Sequence, residues 1–381
     1  MLLALTEAFD VRGPQTLSGA GMATHFGFAL ALLVLSVLTT RVMLKRVRIM
    51  DHPTARSAHR TPTPKAGGLS IVLTFLVGVS VLYVADPARI SQGYFLGFVG
   101  SSVTIAAVSF YDDVENKPFL VKLYTQLLAV AVVLGSGILI DVISLPWIGP
   151  VALGWLSWPL SFLWILGLTN AFNFMDGLDG LAAGTAAIVS FFFLLITASL
   201  GSSFVYIHCY TLLAGALGFL VYNFPPARIF MGDVGSATLG FVFATLAIIA
   251  ARYDASHTSF MVVPLLLFTF IYDTAFTFVR RGLRGENVTE PHRSHLYQLL
   301  NRLGYSHRTV ALLHYAAAAV LGGLALWMSR IEGSKRAAVF VPVLLVHVVY
   351  SVFVIREAHR RGLLDAAPLA GSSGNRNGLG S

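Results

Sequence analysis

The sequence is poor in cysteine and in charge. Cys209 is its one cysteine, and 12 % of its 381 residues are Asp, Glu, Lys or Arg. That charge share is about half the usual value for a soluble domain. A single cysteine excludes a disulfide framework and any multi-cysteine zinc site. Cys209 lies in an apolar run and reads as a small buried hydrophobe. With 56 % hydrophobic residues and a mean hydropathy of +0.75, the composition excludes a soluble globular enzyme and a disordered chain. Apolar surface on this scale needs a lipid solvent.

A membrane helix needs about 20 apolar residues. Eleven apolar segments are read at approximately 24–44, 67–85, 93–111, 120–140, 151–169, 181–200, 203–222, 236–251, 259–279, 309–328 and 337–355. The expected fold class is therefore all-α integral membrane, a polytopic bundle of about 11 transmembrane helices. Residues 1–361 form one polytopic membrane domain, and 362–381 read as a disordered tail. Pro159 interrupts the fifth segment, and the eighth is short and glycine-rich. The first run is too long for a signal-peptide core, and its basic residues follow it, so it reads as a true span. No internal repeat of the inverted-transporter kind is visible.

Placement explains the net charge of +8. With the N-terminus outside, six of the 26 Lys and Arg fall on outer loops: Arg12, Arg89, Arg252, Arg330, Lys335 and Arg336. The other 20 fall on inner loops and the tail. This asymmetry predicts N-outside, C-inside. The positive charge then reflects topology and attraction to anionic lipid, not nucleic-acid binding.

The dense polar clusters fall on the inner face. The first is Asp112-Asp113, at the inner end of the third segment. Adjacent carboxylates repel, so the pair calls for a divalent cation or a Lys such as Lys117 or Lys122, unless it is simply a solvated helix end. The second is Asn170-x-x-Asn173-x-x-Asp176-x-x-Asp179. A three-residue step falls short of a helical turn by about 60°, so one helical face cannot present all four. Gly177 and Gly180 point to a broken geometry that gathers them, although capping of an interfacial turn is an alternative. Asn suits a base or sugar, and Asp suits a metal or a ribose hydroxyl.

The third cluster is Asn223 to Ser236, where Asp233 precedes the eighth segment and either caps a helix or binds a ligand. The fourth is the long loop from Arg280 to Arg308. Arg281 and Arg293 suit a phosphate, while a basic flank that sets topology is the competing reading for Arg280, Arg281 and Arg284. His292 and His295 have no third ligand nearby to complete a zinc site, which leaves phosphate contact or proton transfer. Asp51 to Gly68 adds Lys65 and a Gly pair that suits phosphate, or forms a stiff connector. Acids and cations together on one face are what a metal–diphosphate site requires. Asp273 is the single acid inside a segment. It lies about 10 Å along a helix from Arg280, and intramembrane acids are functional by default.

These motifs resemble the polyprenyl-phosphate N-acetylhexosamine-1-phosphate transferase family. The residues that carry the resemblance are Pro64-Lys65-Ala66-Gly67-Gly68, Asp112-Asp113, the Asn170–Gly180 ladder, Phe230-Met231-Gly232-Asp233-x-Gly235-Ser236, the His292–His295 segment, and Asp273 with Pro264 upstream. The resemblance implies transfer of a sugar-1-phosphate from a UDP-N-acetylhexosamine to undecaprenyl phosphate, with release of UMP, at the cytoplasmic face of the cell's inner membrane. It implies Mg²⁺, with Mn²⁺ as a substitute.

Carried over, Asp112 and Asp113 serve the lipid-phosphate end, and Asp233 binds the metal, helped by Asp113 or Asp176. Asn170, Asn173, Asp176 and Asp179, with Lys65, Lys122, Arg281 and Arg293, contact substrates. His292 and His295 meet the diphosphate or sugar. The peptidoglycan branch, which transfers phospho-N-acetylmuramoyl-pentapeptide, shows three consecutive His in the last loop. The stretch here is His-Arg-Ser-His, a departure that argues against the peptidoglycan substrate, and the chain resembles the subgroup that starts O-antigen or related surface polysaccharides. A homodimer is left open. A transporter is the competing class, but transporters place ionisable groups near the membrane midplane, whereas here they crowd one face.

Overall fold

A computed structural model describes residues 19–47, 49–53, 61–85, 92–115, 119–145, 148–202, 204–288, 290, 292–331 and 333–364. Arg12, Arg89, Lys117 and most of the expected disordered tail lie outside them. The architecture is helical. The helices are α1 (Gly19–Arg46), α2 (Leu69–Ala85), α3 (Gln92–Glu115), α4 (Phe119–Gly135), α5 (Ser157–Phe174), α6 (Leu181–Ser199), α7 (Val205–Asn223), α8 (Asp233–Arg252), α9 (Val262–Leu266), α10 (Phe268–Leu283), α11 (Leu296–Arg302), α12 (His307–Met328) and α13 (Phe340–Arg360). Seven of them are long and apolar enough to cross a membrane: α1, α3, α6, α7, α8, α12 and α13.

Each expected apolar segment contains helix, but several bounds move. The fifth starts at Ser157, six residues late, because 142–145 and 149–152 pair as an antiparallel hairpin of β1 (Val142–Leu145) and β2 (Gly149–Ala152). Pro159 falls in the first turn of α5, where the missing N–H breaks no helical bond. The ninth segment is split at Leu267 into α9 and α10. A second small pairing joins Met50–Asp51 to Thr63–Pro64. Neither pairing was expected, since both lie mainly in stretches read as loops between apolar segments.

The bundle is arranged around α8, which packs against α3 and α5 and is buried continuously from Val234 to Ala250. Its glycines permit this. A Cβ on Gly240 would stand 2.7 Å from the Leu168 carbonyl oxygen and 2.8 Å from Thr169 Cα, both backbone atoms of α5. A Cβ on Gly68 would stand 2.4 Å from Gly235 Cα, so the starts of α2 and α8 meet backbone to backbone. Membrane helices gain association energy from such close approach of small residues. Outward-facing side chains are apolar: Phe26, Leu163, Val279 and Val349 are among the exposed hydrophobics, as a lipid-facing surface requires.

Gly240→Val therefore lowers the thermal unfolding midpoint of the detergent-solubilised protein by several degrees, as overpacking costs about 1–3 kcal/mol. Gly100→Ala, where a Cβ meets nothing within 4 Å, leaves the midpoint unchanged.

Candidate active site

Polar side chains gather at one end of the bundle because α3, α5 and α10 end there and α4, α8 and α12 begin there. Asp113, at the end of α3, accepts from the backbone N–H of Asp233 (3.2 Å) and of Val234 (3.0 Å). The carboxylate that holds the N-terminus of α8 thus comes from α3, and Asp233 does not cap its own helix. Gly232 makes this possible: its φ is +73°, and a Cβ there would meet Asp113 Oδ2 at 2.6 Å.

Freed from capping, Asp233 faces its neighbours. Its Oδ1 accepts from Asn173 Nδ2 at 3.0 Å, and the same amide donates to Ser236 Oγ at 2.9 Å. Lys122, at the start of α4, donates to Asp233 Oδ2 and lies 2.6 Å from Asp112 Oδ2. It is thus an ion-pair bridge between two expected catalytic acids. The other Asp112 oxygen, Oδ1, is buried with no hydrogen-bond partner. Lys65 is close enough for its charge to act on Asp113. It sits in a stretch bound to the Asp233 loop by Gly67 N–H to the Phe230 carbonyl (2.9 Å) and Gly68 N–H to the Met231 carbonyl (2.8 Å).

The Asn ladder divides. Asn170 and Asn173 lie in the last turns of α5, and Asp176 and Asp179 lie in the loop that follows. Asn170 donates to Gln126 Oε1 and to the Leu166 carbonyl, both at 2.8 Å, and lies away from Asp233. Asp176 faces inward. Burial, then the charges of Asp233, Asp113 and Asp179, push its carboxyl well above the usual carboxylate range. Asp179 braces structure: it accepts from Ala227 N–H at 3.1 Å and pairs with His307 at 3.2 Å. Gly180 N–H donates to Asn223 Oδ1 at 3.1 Å.

The His loop is a second assembly, organised by Asp273. This buried acid on α10 accepts from Leu296 N–H (2.9 Å) and Tyr297 N–H (3.0 Å) at the start of α11, and from Thr277 Oγ1 (3.1 Å). It also accepts from His295 Nδ1 at 3.1 Å, which leaves the His295 Nε2 to act. The His292 and His295 rings lie 4.9 Å apart, and His295 lies 6.0 Å from the Phe174 ring at the end of α5. Tyr297 OH donates to the Phe174 carbonyl at 2.8 Å, so the two assemblies are joined. His292 Nδ1 accepts from Ser294 N–H (3.3 Å) and lies 3.1 Å from Ser294 Oγ. Burial and the neighbouring His295, Arg281 and Arg280 push the His292 pKa down to about 4, so the ring is neutral near pH 7.

Arg281 is built into this loop. Its Nε donates to Glu286 (2.9 Å), its Nη2 to the Asn287 carbonyl (2.6 Å) and its Nη1 to the Glu290 carbonyl (3.2 Å). Arg293 is half-buried, and its carbonyl accepts from Arg302 Nη1 at 3.2 Å. Ser236, Gln126, Asn223 and Tyr297 take structural positions that the sequence reading did not assign. Only Ser236 carried a signal, three residues after Asp233.

Among the described residues, no three His, Cys, Asp or Glu side chains form a compact metal cage. A phosphate-handling Mg²⁺ site does not require one, since one or two carboxylates suffice beside substrate oxygens. Asp233, Asp113 and Asp176 repel one another, and Asp112 Oδ1 is orphaned, so the donor set suits a hard cation.

Residues 95–251 match the family model described as glycosyl transferase family 4. Over 308 residues the chain is 32 % identical to a probable undecaprenyl-phosphate N-acetylglucosaminyl 1-phosphate transferase of Bacillus subtilis, covering 79 % of this chain and 84 % of the relative. The chain belongs to this family. A decaprenyl-phosphate N-acetylglucosaminephosphotransferase of Mycobacterium tuberculosis is 33 % identical over 303 residues, 72 % of this chain and 74 % of the relative. A phospho-N-acetylmuramoyl-pentapeptide-transferase of Staphylococcus aureus is 28 % identical over 332 residues, 80 % and 98 % of the two chains. The family match spans α3 to α8 and so contains both Asp112-Asp113 and Asp233, the acids that Lys122 bridges.

Because folding lowers the His292 pKa from an ordinary value near 6.5, the folded loop favours the neutral ring. Its contribution to stability is present above about pH 6.5 and is lost as pH falls toward 4. Thermal unfolding between pH 7 and 4 should show a falling midpoint, and His292→Gln should flatten that fall.

Proposed function

We infer that this protein transfers N-acetylhexosamine-1-phosphate from a UDP-sugar to undecaprenyl phosphate, releases UMP, and so makes the lipid-diphosphate sugar that initiates O-antigen or a related surface polysaccharide. The observation that carries the reading is the Asp112–Lys122–Asp233 bridge, locked to the Asp113-capped start of α8, in a chain of this family. N-acetylglucosamine is the sugar in the names of two relatives above 30 % identity, which makes UDP-N-acetylglucosamine the first donor to test. The peptidoglycan reading is weaker, because His-Arg-Ser-His replaces three consecutive His.

The acceptor reading has a geometric support. A groove of about 580 Å³ runs between α4, α5 and α10, lined by Leu123, Leu163, Trp164, Ile271, Thr274 and Phe278 among others. It reaches Asn170 and Phe174, within one turn of Asn173. An isoprenoid chain laid in this apolar groove brings its phosphate toward the acids at the bundle end. We place about 11 spans in the membrane, the N-terminus outside, the C-terminus inside and the site on the cytoplasmic face. The basic residues at the ends of α1, α10 and α13 support that orientation.

In the reaction, an acceptor phosphate oxygen attacks the β-phosphorus of the donor. The bond from that phosphorus to the bridging oxygen breaks, and UMP leaves with it. The acceptor oxygen is already anionic near neutral pH, so a base is a modest requirement. Asp112, whose Oδ1 has no hydrogen-bond partner, is the group proposed to take a remaining proton. Lys122 holds Asp112 and Asp233 together at the reacting centre. Asn173 fixes the Asp233 carboxylate through its amide. Mg²⁺, with Mn²⁺ as a substitute, is the proposed cofactor; held by Asp233 with Asp113 or Asp176, it supplies positive charge against the diphosphate when bound.

UMP release from the purified protein, with undecaprenyl phosphate, Mg²⁺ and a panel of UDP-N-acetylhexosamines, tests this. One sugar should give lipid-dependent release, lost in Asp233→Asn. Asp273→Asn, which keeps a shape able to accept from Leu296 N–H, should lower the rate less than Asp233→Asn does. Release without lipid, or none with any sugar from folded protein, would count against the reading.

A further inference from the structure

Two adjacent arginines close α10, and the structure gives them different work. Arg281 spends its donors on its own loop, on Glu286 and the carbonyls of Asn287 and Glu290. Arg280 does not. Its Nη2 donates to the Ser294 carbonyl at 2.5 Å, while its Nε and Nη1 are buried and have no hydrogen-bond partner. A guanidinium cannot shed its proton to relieve such a position. Buried charged donors without acceptors are costly, and they mark a place where something else supplies oxygen.

The surroundings define that something. Arg280 grips the carbonyl of Ser294, whose N–H is held by His292, and the His292 ring lies beside that of His295, tilted by 33°. A neutral His292 offers no negative charge to answer Arg280. Arg281 and Arg284 add positive charge nearby, while Glu286 is taken by Arg281 and Asp273 by His295 and the start of α11. Both carboxylates whose charge reaches Arg280, Glu286 and Asp273, thus accept their hydrogen bonds from other groups, and Nε and Nη1 are left without an oxygen while Nη2 holds the His loop. Nε and Nη1 lie on different edges of the planar guanidinium, with Cδ between them, and each is a charged donor suited to a phosphate oxygen.

We propose that Arg280 takes a phosphate oxygen of a bound substrate through one of its unpartnered donors, Nε or Nη1, whereas Arg281 only braces the loop. This rests on the transferase reading above. The donor diphosphate is the expected source. The acceptor groove is lined by Ile271, Thr274, Ala275 and Phe278, whereas Arg280 turns toward the His loop with Asp273 and Thr277. No zinc or general-base chemistry is asked of the arginine. Its role is to hold charge.

The test is ligand binding to the purified wild type and variants in detergent, with uridine, UMP and UDP as probes, beside steady-state UMP release. Arg280→Gln should weaken UDP at least about tenfold while leaving uridine unchanged, since one charge-assisted contact is worth at least that factor. Arg280→Lys, which keeps the charge but loses the planar set of donors, should recover part of the loss and show the folded loop intact. A rise in KM for undecaprenyl phosphate alone, with UDP affinity unchanged, would keep the phosphate contact and assign it to the acceptor. Equal weakening of uridine and UDP, or no change in either substrate, would overturn the proposal and leave Arg280 a strut for Ser294. Wild-type protein that binds UDP yet releases no UMP with any donor would count against the transferase reading and not against the contact.

Discussion

A carboxylate reaching across helices determines the position of the whole polar end of this bundle. Asp113 belongs to α3, yet it accepts the first free N–H groups of α8. The N-terminus of a helix carries about half a positive charge, and a buried anion there gains more than a solvated one. Everything else is held relative to that lock. Asp233 is the first residue of α8, so fixing the helix start fixes its carboxylate. The requirement for a glycine at 232 follows, since a side chain there would strike Asp113. The pairing of Gly67 and Gly68 with Phe230 and Met231 follows as well, because it delivers Lys65 to the same corner.

Asp273 repeats the device on the other side. It too accepts the opening N–H groups of a helix from a different element, and it uses its remaining capacity to orient an imidazole. Two acids thus do double duty, as helix anchors and as positioners of the group beside them. The link between the assemblies runs through Tyr297, whose hydroxyl reaches the Phe174 carbonyl over Gly177, where a Cβ would stand 2.2 Å from that oxygen. The glycine in the Asp176-Gly177 step is therefore explained by a contact some 120 residues away in sequence.

Much of this was legible from residue patterns, and the limits are physical. Segment positions follow from hydropathy, because a lipid solvent leaves few alternatives to a helix. The clustering of acids and cations at one end of the bundle was expected from counting along alternating spans. The hairpin of Val142–Leu145 and Gly149–Ala152 was hidden, since most of it lies in the short connection between the segments 120–140 and 151–169, where runs of four residues are too brief to show a strand period. Roles within a cluster were hidden for a different reason. Asp176 and Asp179 look equivalent in sequence, but only long-range contacts reveal that Asp179 pairs with His307 and holds Ala227, while Asp176 faces the other acids. The same holds for Arg280 and Arg281. Neighbours on a helix point about 100° apart, so adjacency in sequence guarantees different surroundings.

The distribution of charge also decides between a transferase and a transporter on physical grounds. A transporter must present its binding groups to both faces in turn, and it does so by placing them near the midplane on interrupted helices. Here α8, the most enclosed helix, carries no ionisable side chain from Val234 to Ala250, and the hydroxyls of Thr238 and Thr245 are spent on carbonyls of the helix itself. The interruption between α9 and α10 presents Leu267 and Phe268, and the nearest acid, Asp273, is fully engaged with His295, Thr277 and the start of α11. A bundle whose centre is closed and whose chemistry sits at one rim can bind a water-soluble donor from one side only. The groove between α4, α5 and α10 is apolar, includes the outward-facing Leu163 and Phe278, and comes within a turn of Asn173, where a chain-like acceptor can lie beside that rim.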